Sequence, residues 1–363
     1  MKRNRSRGLC LFIILLTAAR SAQGGEQAPV ALGRSTVIAR GLPRPNKPYS
    51  QLKDGRLITH SARETVVLLI DPSRQSVDTL GREGSGPGEY RVPIASQALA
   101  DGRIAVLDMT GLRMTIWRPD KTLDSILPIP AGALRFDANL DPNRKVYWQD
   151  IPAHSPAFLS PGDRPGRHPD STWLYRIALP GPSYDTVASM IQREAGWIES
   201  VFKLPLLHGG QDAWGVLPDG SLWIARVREH RIDRLGANGI WRPGTPRRWI
   251  PVATGPSDVR LIRKPGGTIR DSMPRPIAKV RPPFDYAVAS DDGFVWTHLT
   301  ESLLRDAELF AVFPPSGDPR LTVSLPRGRR IVRISSNAVF ALAETDEGEW
   351  QLEQYPLPQA VRR

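Results

Sequence analysis

The chain has 363 residues, a hydrophobic fraction of 40%, 31 glycines, 35 prolines and a formal net charge of +12. The apolar share is ample for a core and too high for a disordered chain, and so many turn formers favour short antiparallel strands over long helices. A lone cysteine, Cys10, excludes a disulfide framework.

The first residues have their own logic. Lys2, Arg3, Arg5 and Arg7 precede an apolar run over residues 9–16, and Ala22-Gln23-Gly24 offers the small side chains of a processing site. The run is about half the ~20 residues that span a bilayer, so residues 1–24 read as a signal peptide and the protein as exported, periplasmic or secreted. Cys10 lies ahead of most of the run, whereas a lipoprotein cysteine would follow it. Loss of the leader removes five basic residues and the thiol, leaving +7 and no cysteine chemistry. Residues 25–34 are expected as a flexible segment and 35–363 as one domain with no transmembrane span. The remaining charge suits anionic partners. Export and the lack of any helix-turn-helix, zinc-finger or RNA-binding signature argue against nucleic acid.

From residue 50 onward one sentence repeats. Its clearest copy is GREGSGPGEYRVP (81–93) followed by ALADGRIAVLDMTGLRMTIWRPD (98–120): a glycine-rich linker, a short strand, an Asp-Gly turn, an alternating strand, a polar turn and another strand. Asp101-Gly102 suits a tight hairpin because glycine accepts positive φ. Ile104 and Val106, then Met114 and Ile116, suggest an apolar face at period two. Further copies centre on residues 54, 141, 219, 292 and 337, with Asn337 at the last turn. Pro/Gly-rich insertions stretch two of the intervals, over roughly 151–170 and 243–280, the second with a short helix expected in 255–275. Six such units predict an all-β fold: a six-bladed β-propeller of four-stranded antiparallel blades, whose radial packing covers both faces of every sheet. Residues 35–39 are expected to supply the outer strand of the blade that 350–355 completes.

Residues 81–120 resemble an NHL-type repeat through Gly81, Gly84, Gly86, Gly88, Tyr90, Pro93 and Asp101-Gly102, with Asp108 and Arg113 at the polar positions after the second strand. The whole chain resembles the bacterial exported six-bladed β-propeller proteins. The resemblance implies the fold; it implies little about chemistry, since propellers host binding and several reactions.

The motifs that carry chemistry are weak. GREGSGPGE lacks the Gly-Lys-Ser/Thr of a phosphate loop and precedes a strand, so a blade linker explains its glycines. Asp137 to Asp141 mimics the start of a calcium loop, but Pro142 and Trp148 replace the required Gly and Glu. The histidines (His60, His154, His168, His208, His230 and His298) show no zinc spacing. Ser50-x-x-Lys53 and Ser200-x-x-Lys203 lack the companion motifs of serine–lysine enzymes. Trp117, Trp148, Trp223, Trp296 and Trp350 fall on strands and suit packing, whereas Trp173, Trp197, Trp241 and Trp249 lie in or near insertions and suit a ligand or partner surface.

The linkers entering the innermost strands carry Lys47, Arg91, Arg135, His208, Arg281 and Arg329, a candidate cationic rim for an anionic ligand. The expected function is therefore binding or scaffolding, with a small anionic ligand or a cell-envelope protein engaged by loops at the channel mouth, by a monomeric protein. No catalytic residue, metal site or cofactor is predicted. The alternative is a metal-dependent hydrolase or lactonase holding calcium or a similar ion in the channel.

Overall fold

The computed structural model describes residues 28–44, 47–129, 139–149, 171–178, 184–191, 194–198, 202–236, 238–259, 261–263, 272–274, 276–316, 318–319 and 321–361. Five turns share one hydrogen-bond grammar. In blade 1 the Leu52 amide donates to the Arg56 carbonyl (2.8 Å) and the Gly55 amide to the Leu52 carbonyl (3.0 Å). The same pair of bonds recurs at Leu99, Asp141, Leu217 and Ser290. Gly55, Gly102, Gly220 and Gly293 hold the fourth position at φ between +81 and +92, a region that a side chain disfavours. Asp54, Asp101 and Asp219 accept the amide two residues on, which locks the turn.

Blade 3 keeps this grammar with different letters. Arg144, at φ +64, stands where the others have glycine, and Asn143 where they have aspartate. Asp141 thus sits two residues earlier than the sequence pattern suggests, at the place held by Leu52, Leu99 and Leu217. It is fully buried, and its Oδ1 accepts the amides of Asn143 and Lys145 at 2.8 and 2.7 Å. That carboxylate is a turn clasp; residues 137 and 138 of the calcium-like stretch lie outside the described residues. The sixth turn is one residue shorter and runs from Ser335 to Ala338 (2.8 Å).

Each turn joins an innermost strand to the second strand of its blade, and six four-stranded antiparallel sheets result. Their innermost strands are Ser50–Gln51, Pro93–Ala98, Asn139–Leu140, Ala213–Val216, Phe284–Ala289 and Arg329–Ile334. The protein is a six-bladed β-propeller. Thr36–Leu42 pairs antiparallel with Trp350–Pro356, so an N-terminal strand completes the last blade, as the sequence indicates. Within the 25–34 segment, Val30–Ala31 adds a fifth, parallel strand to blade 5 beside Leu321–Leu325, and Leu32 is buried there.

Both faces of every sheet are covered. Six apolar clusters form among the described residues, one for each seam between neighbouring blades. In blade 1, Leu68 and Ile70 pack with Phe340 and Leu342 of blade 6, while Val67 and Leu69 pack with Ile104 and Val106 of blade 2. This corrects the single-face reading of blade 2: Ile104 and Val106 face blade 1, whereas Met114 and Ile116 face blade 3 with Ala105 and Leu107. Each such side chain contributes about 1.5–3 kcal/mol on burial. Trp117, Trp223 and Trp296 are buried within seams or blades, the packing role expected of them.

The insertions differ from expectation. Residues 150–170 lie outside the described set, so His154 and His168 are not placed. Among the described residues of 255–275 stand a 3-10 turn, Pro256–Asp258, and a ribbon of Leu261–Arg263 with Ser272–Pro274; the rest of the stretch where a short helix is expected lies outside the described residues. A second ribbon, Ala195–Ile198 with Phe202–Pro205, precedes blade 4.

One ion cluster ties blade 5 across its strands. His298 donates from Nδ1 to Asp285 (2.7 Å) and from Nε2 to Glu308 (2.9 Å), and its ring stacks on Tyr286. Burial opposes its charge, but the hydrogen bonds to Asp285 and Glu308 outweigh burial and raise its pKa to about 9. A pKa raised on folding stabilises the fold fully below the unfolded value of about 6.5, and the gain is lost as pH climbs through 9. The melting-temperature advantage of the native chain over His298→Gln is therefore expected to be large at pH 6 and to vanish by about pH 10. A pH-independent difference in calorimetric scans refutes this charge assignment.

Candidate functional site: the axial cavity

The innermost strands enclose a cavity of about 860 Å³ on the ring axis, lined by residues of all six blades. It extends to the first-hairpin turns, where Lys53, Asp54, Ala100, Pro142, Pro218, Asp291 and Asn337 line it. The size suits a small molecule, for which pockets of roughly 300–1,000 Å³ are usual.

Its cations come from blades 1 and 6. Lys47 Nζ donates to the Ile94 carbonyl at 2.7 Å, bridging blade 1 to blade 2. Arg333 stands at the penultimate position of the blade 6 inner strand, between buried Val332 and Ile334, and pairs with Asp291 at the blade 5 turn. Burial lowers the Arg333 pKa, and Asp291 works against that shift. Beside Lys47, the buried His60 bonds through Nδ1 to Ser96 Oγ at 3.0 Å. Burial, and then the Lys47 charge, push the His60 pKa down to about 3, so the ring is neutral at physiological pH. A neutral imidazole of such low basicity is a poor general base, which argues against reading His60 and Ser96 as a nucleophilic pair. The wall formed by blades 3 and 4 contains Leu140, Trp214, Val216 and Trp223 instead. Gly215 makes room for the Trp223 indole: a Cβ there would lie 2.7 Å from Trp223 Cζ2.

The rim residues expected from sequence have separate fates. Lys47 lines the cavity. Arg91 is exposed and donates to Ser85 Oγ of the glycine-rich linker (2.7 Å). His208 and Arg281 are brought together by a residue that the sequence reading missed, Asp258: His208 Nε2 lies 3.2 Å from its Oδ1, Arg281 pairs with the same oxygen, and Arg281 Nη1 lies 2.9 Å from His208 Nδ1. The clasp ties the Pro256–Asp258 turn to the stretch before blade 4 and to the linker into blade 5, and His208 adopts φ +57 within it. Arg329 pairs with the buried Glu353 at 3.2 Å. Arg135 lies outside the described residues. Arg91, His208 and Arg281, each engaged by the linker or the insertion, are not among the cavity-lining residues.

Other sequence motifs resolve into structure. Glu89 accepts the Gly86 amide at 2.7 Å, so the amides of GREGSGPGE serve the linker's own carboxylate. Ser50 Oγ accepts the Ala98 amide at 2.9 Å across the blade 1–2 seam. Asp108 is fully buried and accepts the Val92 amide at 3.0 Å, with Arg113 at 3.5 Å. Among the described residues, no group of three or more His, Cys, Asp or Glu is placed to hold a metal ion.

No family model matches the sequence, and no curated protein matches it. Among solved structures, the chain is similar to a member of the DUF4221 family from Bacteroides vulgatus, with TM-score 0.50 and 9% identity over 89% of this chain and 96% of that one. A putative exported protein from Bacteroides fragilis gives TM-score 0.48 and 10% identity over 89% and 94% of the two chains. A gluconolactonase from Xanthomonas campestris gives TM-score 0.45 and 14% identity over 90% and 91%. At 9% identity the likeness to the first of these shows the fold alone.

The Asp291–Arg333 pair makes the site testable for stability. Asp291→Asn strips a guanidinium of its anionic partner and is expected to destabilise the fold by about 1–3 kcal/mol in denaturant titrations, while Asp291→Asn with Arg333→Met recovers part of the loss. Equal stability of native and Asp291→Asn proteins counts against a stabilising pair.

Proposed function

We propose that this chain is an exported binding protein that captures a small anionic ligand in its axial cavity. The observation that carries the reading is the cavity of about 860 Å³ bearing Lys47, Lys53 and Arg333 on adjoining blades. Low-dielectric walls strengthen the field of those cations toward an anion. The donor set supports binding over metal-assisted hydrolysis. Asp54 and Asp291 are the described carboxylates that line the cavity, and each is already paired, with Arg56 and Arg333. Kinship with NHL-type repeats is part of this reading, supported by the linker-plus-hairpin pattern of residues 81–120.

Export is supported by the basic stretch, apolar run and small-residue site of residues 1–24. Among the described residues no helix is long and apolar enough to cross a membrane. N-terminal sequencing of protein recovered outside the cytoplasm is expected to begin at Gly25; full-length chain retained in the cytoplasm refutes export.

The binding reading is tested by thermal shift and calorimetry with inorganic phosphate, gluconate and 2-naphthoate as probes. At least one is expected to raise the melting temperature, and Lys47→Met to weaken it by about tenfold, the worth of one charge-assisted hydrogen bond. If no anion binds, or if Lys47→Met binds as the native chain does, the reading fails.

A further inference from the structure

The cavity is two-faced, and ring order sets how the faces oppose each other. Lys47, Lys53 and Arg333 belong to blades 1 and 6, which share a seam. In a ring of six, blades 4 and 3 stand diametrically across from them. From those two blades the described lining is Leu140, Pro142, Trp214, Gly215, Val216, Pro218 and Trp223, with no charged side chain. Leu140 and Trp223 are buried at 3% exposure, and Trp214 leans on Tyr147 with ring centroids 6.0 Å apart. This half of the wall is therefore both apolar and rigid. The remaining blades, 2 and 5, contribute mostly small side chains such as Ala95, Ser96, Ala287 and Ala289, with Gln97, Leu99, Val288 and the Arg333-paired Asp291.

Such a wall discriminates between anions. A phosphate or a polyhydroxylated acid gains from the cationic pole but leaves its hydroxyls facing Trp214 and Val216, where they lose water without finding partners. A carboxylate on a flat hydrocarbon ring satisfies both poles, with its oxygens toward Lys47 and its ring against the indole. Resting on the anion-binding reading, we infer that the ligand class is an aromatic carboxylate, its acid group held by blades 1 and 6 and its ring held by the tryptophan-bearing wall of blades 3 and 4.

The test compares three probes by calorimetry on the full-length processed protein: 2-naphthoate, its uncharged analogue 2-naphthalenemethanol, and gluconate. The inference expects 2-naphthoate to bind at least about tenfold more tightly than either of the others. Trp214→Leu, which keeps an apolar side chain without the ring, is expected to weaken naphthoate by about tenfold and Trp214→Phe by less, with thermal melts confirming that both variants fold. Gluconate binding as tightly as naphthoate, or naphthoate binding that does not respond to Trp214→Leu, overturns the aromatic assignment and leaves anion binding standing. Naphthalenemethanol equal to naphthoate overturns the role of the cationic pole. Failure of every anion overturns both readings.

Discussion

Everything in this propeller depends on the seam between neighbouring blades. A four-stranded sheet has two faces, and in this chain consecutive residues of a strand are apolar on both: Val67, Leu68, Leu69 and Ile70 alternate between the blade 2 and blade 6 seams. A sheet of that kind is insoluble alone and stable only when flanked on each side. Because every blade has the same need, the solution is a closed ring with six equivalent seams and no free face. The axial cavity follows from closure, since the innermost strands cannot converge on a point.

That origin explains why the fold was legible in the sequence and the cavity was not. Turn chemistry is local: Asp-Gly at 54–55, 101–102 and 219–220 writes the hairpin in adjacent letters, and even Arg144 and Asn143 preserve the bonding once placed. The cavity is assembled from distant residues. Arg333 and Asp291 meet across a seam, Lys47 reaches the Ile94 carbonyl of the next blade, and Trp214 faces them from across the ring. Nothing in the spacing of these residues announces the meeting. The one usable signal was a cation set between apolar residues within a strand, Val332-Arg333-Ile334. The linker cations recur before each turn, yet of the described ones Lys47 lines the cavity, whereas Arg91, His208 and Arg281 are held by the linker and the insertion.

The clasp of His208, Arg281 and Asp258 shows a related limit. Its members come from the stretch before blade 4, the linker into blade 5 and the 3-10 turn of the insertion. The insertion returns to the body of the protein through the Leu207 amide, which donates to the Pro276 carbonyl at 2.8 Å, and through the Ala278 amide, which donates to the Leu207 carbonyl at 3.0 Å. Proline-rich sequence looks like slack in the primary structure. Here part of it is strapped down by backbone hydrogen bonds and one shared carboxylate.

The arrangement of the two chain ends has a consequence of its own. Leu32, Leu357 and Val361 belong to a single apolar cluster, so the first and last buried residues among those described share the blade 5–6 seam. The break in the ring is therefore topological rather than energetic: a peptide linker across it, with new ends cut in an exposed hairpin elsewhere, would leave all six seams unchanged. The circle has no physically privileged beginning.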